Sequence, residues 1–171
     1  MNRRTRGFTL IELMTAITVL GVLLGLAIPA FRDIVRNNRI TAQNNDFIGG
    51  LNFARSEALK RSNPVSICSS TDGVSCAGVT NWSTGWVVFA DTNANGTLDG
   101  VEVPLQKGAA TTGGLTLNST TRNFVRYSSS GVSSAGAETF DLLKPGCVGN
   151  YARRISISTT GRISSAVTAC P

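Results

Sequence analysis

Histidine is absent from this chain of 171 residues, and charged residues make up only 15% of it. Without histidine the commonest general base of enzymes is missing, and no serine or cysteine stands in a recognisable nucleophile motif. The cysteines form no Cys-x-x-Cys pair, so a zinc site built from cysteine and histidine is disfavoured as well. We therefore expect neither an enzyme nor a resident cofactor.

Acidic residues are scarce in the C-terminal half of the chain. From position 104 onward, basic residues outnumber the acids Glu138 and Asp141, and the whole chain carries a formal net charge of +6. Such an excess is typical of a scattered, solvated surface, which is the interpretation that we favour. The alternative is a surface for an anionic partner.

The N-terminus joins a short basic segment to a long apolar one. Arg3, Arg4 and Arg6 precede Gly7, and residues 8–31 are largely apolar, with Glu12 as their only charged residue. A segment of this length can span a membrane, and the arginines place its start in the cytoplasm. It is too long for the core of an ordinary signal peptide, and the small-residue break lies before it. A carboxylate inside a membrane segment marks a function and needs a partner, unless it is an isolated acid drawn toward the headgroups.

This N-terminus resembles the type IV pilin and type II secretion pseudopilin class. The resemblance lies in the sequence Gly7-Phe8-Thr9-Leu10-Ile11-Glu12, the basic leader, the long apolar segment and Pro29. It implies that a prepilin peptidase removes residues 1–7 as a leader and methylates the amine of Phe8. It also implies that Glu12 pairs with the Phe8 amine of a neighbouring pilin or pseudopilin subunit. The protein would be a single-pass inner-membrane protein with a cytoplasmic N-terminus, and later part of a filament.

A helical pattern continues after the apolar segment. Apolar residues at three- and four-residue steps predict an amphipathic helix over residues 32–62 that packs on a head, although Gly49-Gly50 weakens its middle. The helix should end at Asn63-Pro64, because proline disfavours helical backbone in the residue before it. The apolar face is expected to include Phe47, Ile48, Leu51, Ala54, Ala58 and Leu59.

The remaining residues, 63–171, are predicted to form a periplasmic, β-rich head. Short runs of branched and aromatic residues are separated by Gly, Ser, Thr and Asn. These runs lie at residues 65–68, 85–89, 101–105, 115–117, 124–127, 139–143 and 154–158. The fold class is therefore α+β. The resemblance implies the type IV pilin fold, in which a long N-terminal helix, transmembrane in its first half, packs on an antiparallel sheet.

The head narrows the resemblance to the GspH/FimT branch of the class, which includes pseudopilin H and the minor pilins FimT and FimU. The strand–loop–strand segment 86–102 is similar to that of the branch. Ser130-Gly131 and residues 159–162 fit it too.

Residues 91–102 also have the spacing of a calcium loop. Alternating oxygen-bearing side chains and a central Gly96 are what a calcium ion requires, and the potential ligands are Asp91, Asn93, Asn95, Asp99 and Glu102. However, strands rather than helices flank this loop. We favour a structural turn in which Asn95-Gly96 is left-handed, with no metal.

Four cysteines in a periplasmic head predict disulfides. Three pairings are possible, and the sequence does not choose between them. We favour sequence-local pairing, Cys68 with Cys76 and Cys147 with Cys170.

Three functions fit these features. The first is a minor pilin that primes a type IV pilus or lies near its tip, and the second is the H pseudopilin of a type II secretion system. The third is DNA binding during DNA uptake, because some FimT-like proteins carry Gly-Arg-x-Arg near the C-terminus. Here Gly161-Arg162 is followed by Ile163-Ser164, so the second arginine is missing. Arg153, Arg154 and Arg162 are the candidate DNA contacts, and an exposed hairpin residue is the interpretation of Arg162 that we favour.

Overall fold

The computed structural model describes residues 9–171, apart from the side chains of residues 26, 29, 30 and 32. This part of the chain contains one α-helix and eight β-strands. It divides into two units after Asn38, and each is described by itself. Gly7 and Phe8, the predicted cut site, lie outside the described residues.

The helix α1 covers Leu10–Arg61, in agreement with the helical periodicity. Thr9 caps its start, because the backbone N–H of Glu12 donates to Thr9 Oγ1 at 3.3 Å. At the other end Ser62 adopts a left-handed backbone with φ of 53°. The next residues, Asn63-Pro64, then lead the chain out of the helix.

Residues 39–171 form two antiparallel sheets around the C-terminal half of α1. The first sheet has the order β3-β2-β1-β5, and the second has the order β4-β6-β7-β8. The strands are β1 (Val65–Ser69), β2 (Trp86–Ala90), β3 (Pro104–Gly108), β4 (Thr116–Ser119), β5 (Phe124–Tyr127), β6 (Glu138–Leu143), β7 (Ala152–Ile157) and β8 (Ile163–Thr168).

An aromatic cluster joins the helix to both sheets. Phe47 of α1 meets Phe140 of β6 edge-on with ring centroids 4.9 Å apart, and Trp82 lies 5.6 Å from Phe47. The buried face of this part of the helix is narrower than predicted, because Ile48 is only partly buried and Leu59 is 51% exposed. The buried apolar side chains of α1 are Ile40, Phe47, Leu51, Ala54 and Ala58.

Gly49-Gly50 does not interrupt the helix. Gly50 is needed for packing. A Cβ on Gly50 would come within 2.8 Å of Cζ2 of Trp86, whereas a Cβ on Gly49 would meet nothing within 4 Å. Gly108 of β3 approaches the same tryptophan ring closely. The indole of Trp86 is therefore packed against two glycines, one on the helix and one on the neighbouring strand.

Two strands differ from the prediction. The predicted strand 101–105 begins only at Pro104, since residues before it belong to the loop after β2. The strand β8 was not predicted, because its sequence Ile-Ser-Ser-Ala-Val-Thr lacks a strong apolar alternation. This strand lies at the edge of its sheet, with most of its residues exposed, so packing does not require such alternation.

Candidate functional site

Glu12 lies in the first turn of α1, three residues after the capping Thr9. This Thr-x-x-Glu spacing is that of a capping box, a structural role that the sequence analysis did not consider. Described apolar side chains around it are exposed, including Ile11 at 67% and Leu13 at 56%. Over the described residues, no helix reaches the length and apolar character required to cross a membrane.

Asp91 organises the loop that was considered as a calcium site. Its side chain is fully buried and accepts three hydrogen bonds: from Ser66 Oγ at 2.6 Å, and from the backbone N–H groups of Asn95 at 2.9 Å and Gly96 at 3.0 Å. A buried carboxylate with three donors is satisfied by the protein itself. In this structure Asp91 therefore holds the loop against β1.

The other potential calcium ligands also bind within the loop. The side-chain amides of Asn93 and Asn95 donate to the carboxylate of Asp99 at 3.0 and 2.7 Å, and Glu102 accepts from the backbone N–H of Thr92 at 2.8 Å. Among the described residues, no group of three or more His, Cys, Asp or Glu side chains is positioned to hold a metal ion.

The predicted left-handed turn at Asn95-Gly96 is only half correct. Gly96 is left-handed, with φ of 77°, but the residue that joins it is Ala94, with φ of 57°. Asn95 does not have a positive φ, and its backbone N–H donates to Asp91 at 2.9 Å. The loop is too long for a two-residue hairpin turn.

The disulfides of the structure are sequence-local. Cys68 is bonded to Cys76, and Cys147 to Cys170. The first disulfide belongs to a small hydrophobic cluster on the outer face of the first sheet, with Val87, Phe89, Leu98 and Phe124. The backbone N–H of Leu98 points to Sγ of Cys76 at 3.3 Å. Loop 91–103 therefore packs on this disulfide.

The three arginines that were considered for DNA binding are not clustered. Arg153 and Arg154 are consecutive residues of β7, so their side chains leave opposite faces of the strand. Arg154 makes a two-point ion pair with Asp141, at 2.8 and 3.2 Å. Arg154 of β7 lies opposite Ala166 of β8. Arg162 is four residues before Ala166, and four residues of strand span about 13 Å, so Arg162 lies far from Arg154.

Glu138 is a buried carboxylate that the sequence analysis did not select. It is only 4% exposed, and it accepts from the hydroxyls of Thr120 at 2.6 Å and Thr121 at 2.8 Å. Burial alone would raise the pKa of Glu138, but these hydroxyls and the backbone N–H of Thr139 outweigh it and lower the pKa. The scarcity of acids in this half of the chain was the signal that could have identified it.

A shallow groove of about 570 Å³ lies beside Glu138. Arg162 and Ser164 line its other side, next to β7. The walls of the groove come from the connection before β5 and from strands β6 to β8.

Two protein-family models match this chain. Residues 43–161 match the family described as type II transport protein GspH, and residues 2–28 match the prokaryotic N-terminal methylation motif. A comparison with curated proteins finds no match.

Two minor filament subunits have similar solved structures. The type IV minor pilin FimU of Pseudomonas aeruginosa is 22% identical, with a TM-score of 0.63 over 78% of this chain and 96% of FimU. The minor pseudopilin EpsH of the Vibrio cholerae type 2 secretion system is 13% identical, with a TM-score of 0.53 over 75% of this chain and 97% of EpsH. These structures share the type IV pilin fold. The chain thus belongs to the GspH family and has the type IV pilin fold.

Proposed function

We propose that this protein is a minor pilin of a type IV pilus that primes assembly or lies near the tip. A prepilin peptidase cuts it after Gly7 and methylates the amine of Phe8. Residues 8–31 hold it in the inner membrane with the head in the periplasm until it joins the filament. It acts as a structural subunit rather than as an enzyme.

The observation that supports a role in assembly is the position of Glu12. Its carboxylate lies on the first turn of α1 among exposed apolar side chains. In a bilayer or a filament core an unpaired carboxylate is strongly unfavourable, so a cation must join it. The free amine of Phe8 on a neighbouring subunit is a suitable partner, and docking would then neutralise both charges.

The processing step can be measured directly. In membranes of the native host, the intact mass should correspond to the chain without residues 1–7 and with one added methyl group. The variant Glu12→Leu should still lose its leader but should enter filaments at least about tenfold less, whereas Asp33→Leu, which removes an acid beyond the apolar segment, should enter normally. Retention of Met1 in cells with an active peptidase would refute the proposal.

The H pseudopilin of a type II secretion system is the second candidate. The GspH family match and the EpsH likeness favour it. We prefer the pilus because the likeness to FimU is greater. Deletion of the gene in its host should reduce the number of surface pili and leave exoprotein secretion unchanged, and the converse result would favour the pseudopilus.

A further inference from the structure

We propose that the free edge of β8 binds an extended segment of a different filament subunit. This segment adds a strand to the second sheet and carries an acidic residue next to Arg162. The inference rests on the proposed function only in assuming that the protein is built into a filament.

The hydrogen-bonding pattern of the β7–β8 hairpin shows which backbone groups are available. The N–H of Ser158 donates to the carbonyl of Arg162 at 2.9 Å, and the register continues with Ile157 opposite Ile163. Paired residues of an antiparallel ladder alternate between bonded and non-bonded pairs. The N–H and C=O groups of Ile163, Ser165 and Val167 therefore point away from β7, toward the open edge.

The edges at β4 and β5 are covered by other segments of the chain. Along β4, the N–H of Trp82 donates to the carbonyl of Leu117 at 2.8 Å, and the N–H of Ser119 donates to the carbonyl of Thr80 at 2.9 Å. Along β5, the N–H of Ser134 donates to the carbonyl of Arg126 at 2.9 Å. Neither edge offers a full row of unpaired groups.

The edge at β3 is protected by its composition. It carries Pro104 and Lys107, and a bulge interrupts its pairing with β2. Proline, lysine and bulges are the usual means by which proteins prevent pairing at an edge. Residues 163–168 contain no proline and no charge, and none of the described residues outside β7 pairs with their outward backbone groups. Among the four edges in residues 39–171, β8 is therefore the one left suitable for strand addition.

The chemistry of the occupant follows from the ends and faces of β8. Its outer face carries Ser164 and Ala166, which are small and exposed, so a neighbouring strand meets no steric barrier. Arg162 stands exposed at the start of the strand and forms no ion pair with the described residues, whereas Arg154 is already held by Asp141. A carboxylate on the added segment at that end would form an ion pair with Arg162.

A second copy of the chain fits this edge less well. Antiparallel pairing of two β8 strands around Ser165 would place each Arg162 opposite Thr168 of the other copy. Both arginines would then lack a carboxylate. A different subunit is thus the better occupant.

Photo-crosslinking in the native host tests the inference. The full chain carries a benzophenone side chain at Ala166, and filaments are illuminated before mass spectrometry identifies the crosslinked peptide. We expect an adduct with an extended segment of another filament subunit that contains Asp or Glu. The variant Val167→Pro removes one outward N–H without breaking a β7–β8 bond, and it should reduce the adduct at least about tenfold. The matched variant Val167→Thr keeps that N–H and should retain the adduct, and Arg162→Gln should weaken it.

Backbone exchange of the unsubstituted protein gives an independent readout. In detergent-extracted protein the amides of Ser165 and Val167 should exchange quickly and those of Ser164 and Ala166 slowly, whereas in filaments all four should be slow. An adduct that survives Val167→Pro, an adduct only with a second copy or with DNA, or unchanged exchange at Ser165 and Val167 would each overturn the inference. If the protein is cleaved and enters filaments but shows these results, the proposed function stands and only the role of β8 fails.

Discussion

Gly161 packs directly against the carbonyl oxygen of Gly131, with no space between them for a side chain. Both glycines are left-handed, with φ of 78° and 74°. Arg55 of α1 joins them, because its Nε donates to the carbonyl of Gly131 at 2.9 Å and its Nη2 donates to that of Thr160 at 3.2 Å. Two short motifs that lie far apart in the sequence thus meet on one helical arginine.

The variant Gly161→Ala should destabilise residues 39–171 by about 2–4 kcal/mol. A left-handed alanine costs about 1 kcal/mol, and displacement of the Gly131 carbonyl adds to it. Gly114→Ala is the matched control, since Gly114 has φ of 71° but nothing lies within 4 Å of an added Cβ. This substitution should cost only the strain of a left-handed alanine. Urea unfolding measures both variants, and equal losses would show that the contact with Gly131 is unimportant.

The two adjacent glycines of α1 should respond to alanine in opposite directions. Gly49→Ala should stabilise the fold by up to about 1 kcal/mol, because alanine favours helix and nothing lies near the new Cβ. Gly50→Ala gains the same propensity, but its Cβ would collide with the ring of Trp86, so a net loss is expected. Urea unfolding with tryptophan fluorescence would detect both changes. A stabilised Gly50→Ala variant would mean that Trp86 moves freely.

Local patterns explain how much of this fold was predictable. Helical periodicity located α1, and Asn63-Pro64 placed its end, because both act within a few residues. The edge strand β8 and the start of β3 were missed, since they depend on which strands become neighbours. The need for glycine at position 50 was hidden for the same reason, because Trp86 lies on a distant strand.

The sites were predictable only as residue types. Asp91 stood out through its spacing in loop 91–103, but its partner Ser66 comes from β1, so its role as an internal acceptor could not be read locally. The basic residues Arg154 and Arg162 were candidate DNA contacts that could have formed a cluster. Strand geometry separates them, and Asp141 on the neighbouring strand pairs with the first.

Removal of the disulfide between Cys68 and Cys76 should affect loop 91–103 selectively. The double variant with serine at both positions should lose about 2–3 kcal/mol of stability from chain entropy, and more from the lost packing of the small cluster. Amides of residues 94–99 should exchange faster, because Leu98 rests on Cys76. The corresponding variant of Cys147 and Cys170 is the control, and it should leave those amides unchanged. Equal effects of both variants on the loop would contradict this assignment.

Duplex DNA should bind residues 39–171 only weakly and without dependence on one arginine. Scattered phosphate contacts give dissociation constants of about 10⁻⁶ to 10⁻⁴ M and weaken steeply as salt rises. In a gel shift at low salt, Arg162→Ala and the exposed control Lys144→Ala should each reduce affinity by less than about threefold. Tight binding that Arg162→Ala alone abolishes would establish a specific DNA site.

The carboxylate of Glu138 should make stability depend on pH in the acidic range. Its folded pKa lies below the unfolded value of about 4.3, so its contribution is complete above that value and disappears as the pH falls through the folded pKa. Glu138→Gln should cost about 1–3 kcal/mol at pH 7, because a buried acceptor of several hydrogen bonds is lost, and the difference should shrink toward pH 3. Asp141→Asn, which breaks an exposed ion pair, should cost less than about 1 kcal/mol at pH 7. Urea unfolding of the three proteins at pH 7, 5 and 3 would show this, and a constant gap between wild type and Glu138→Gln across that range would mean that Glu138 is not the titrating group.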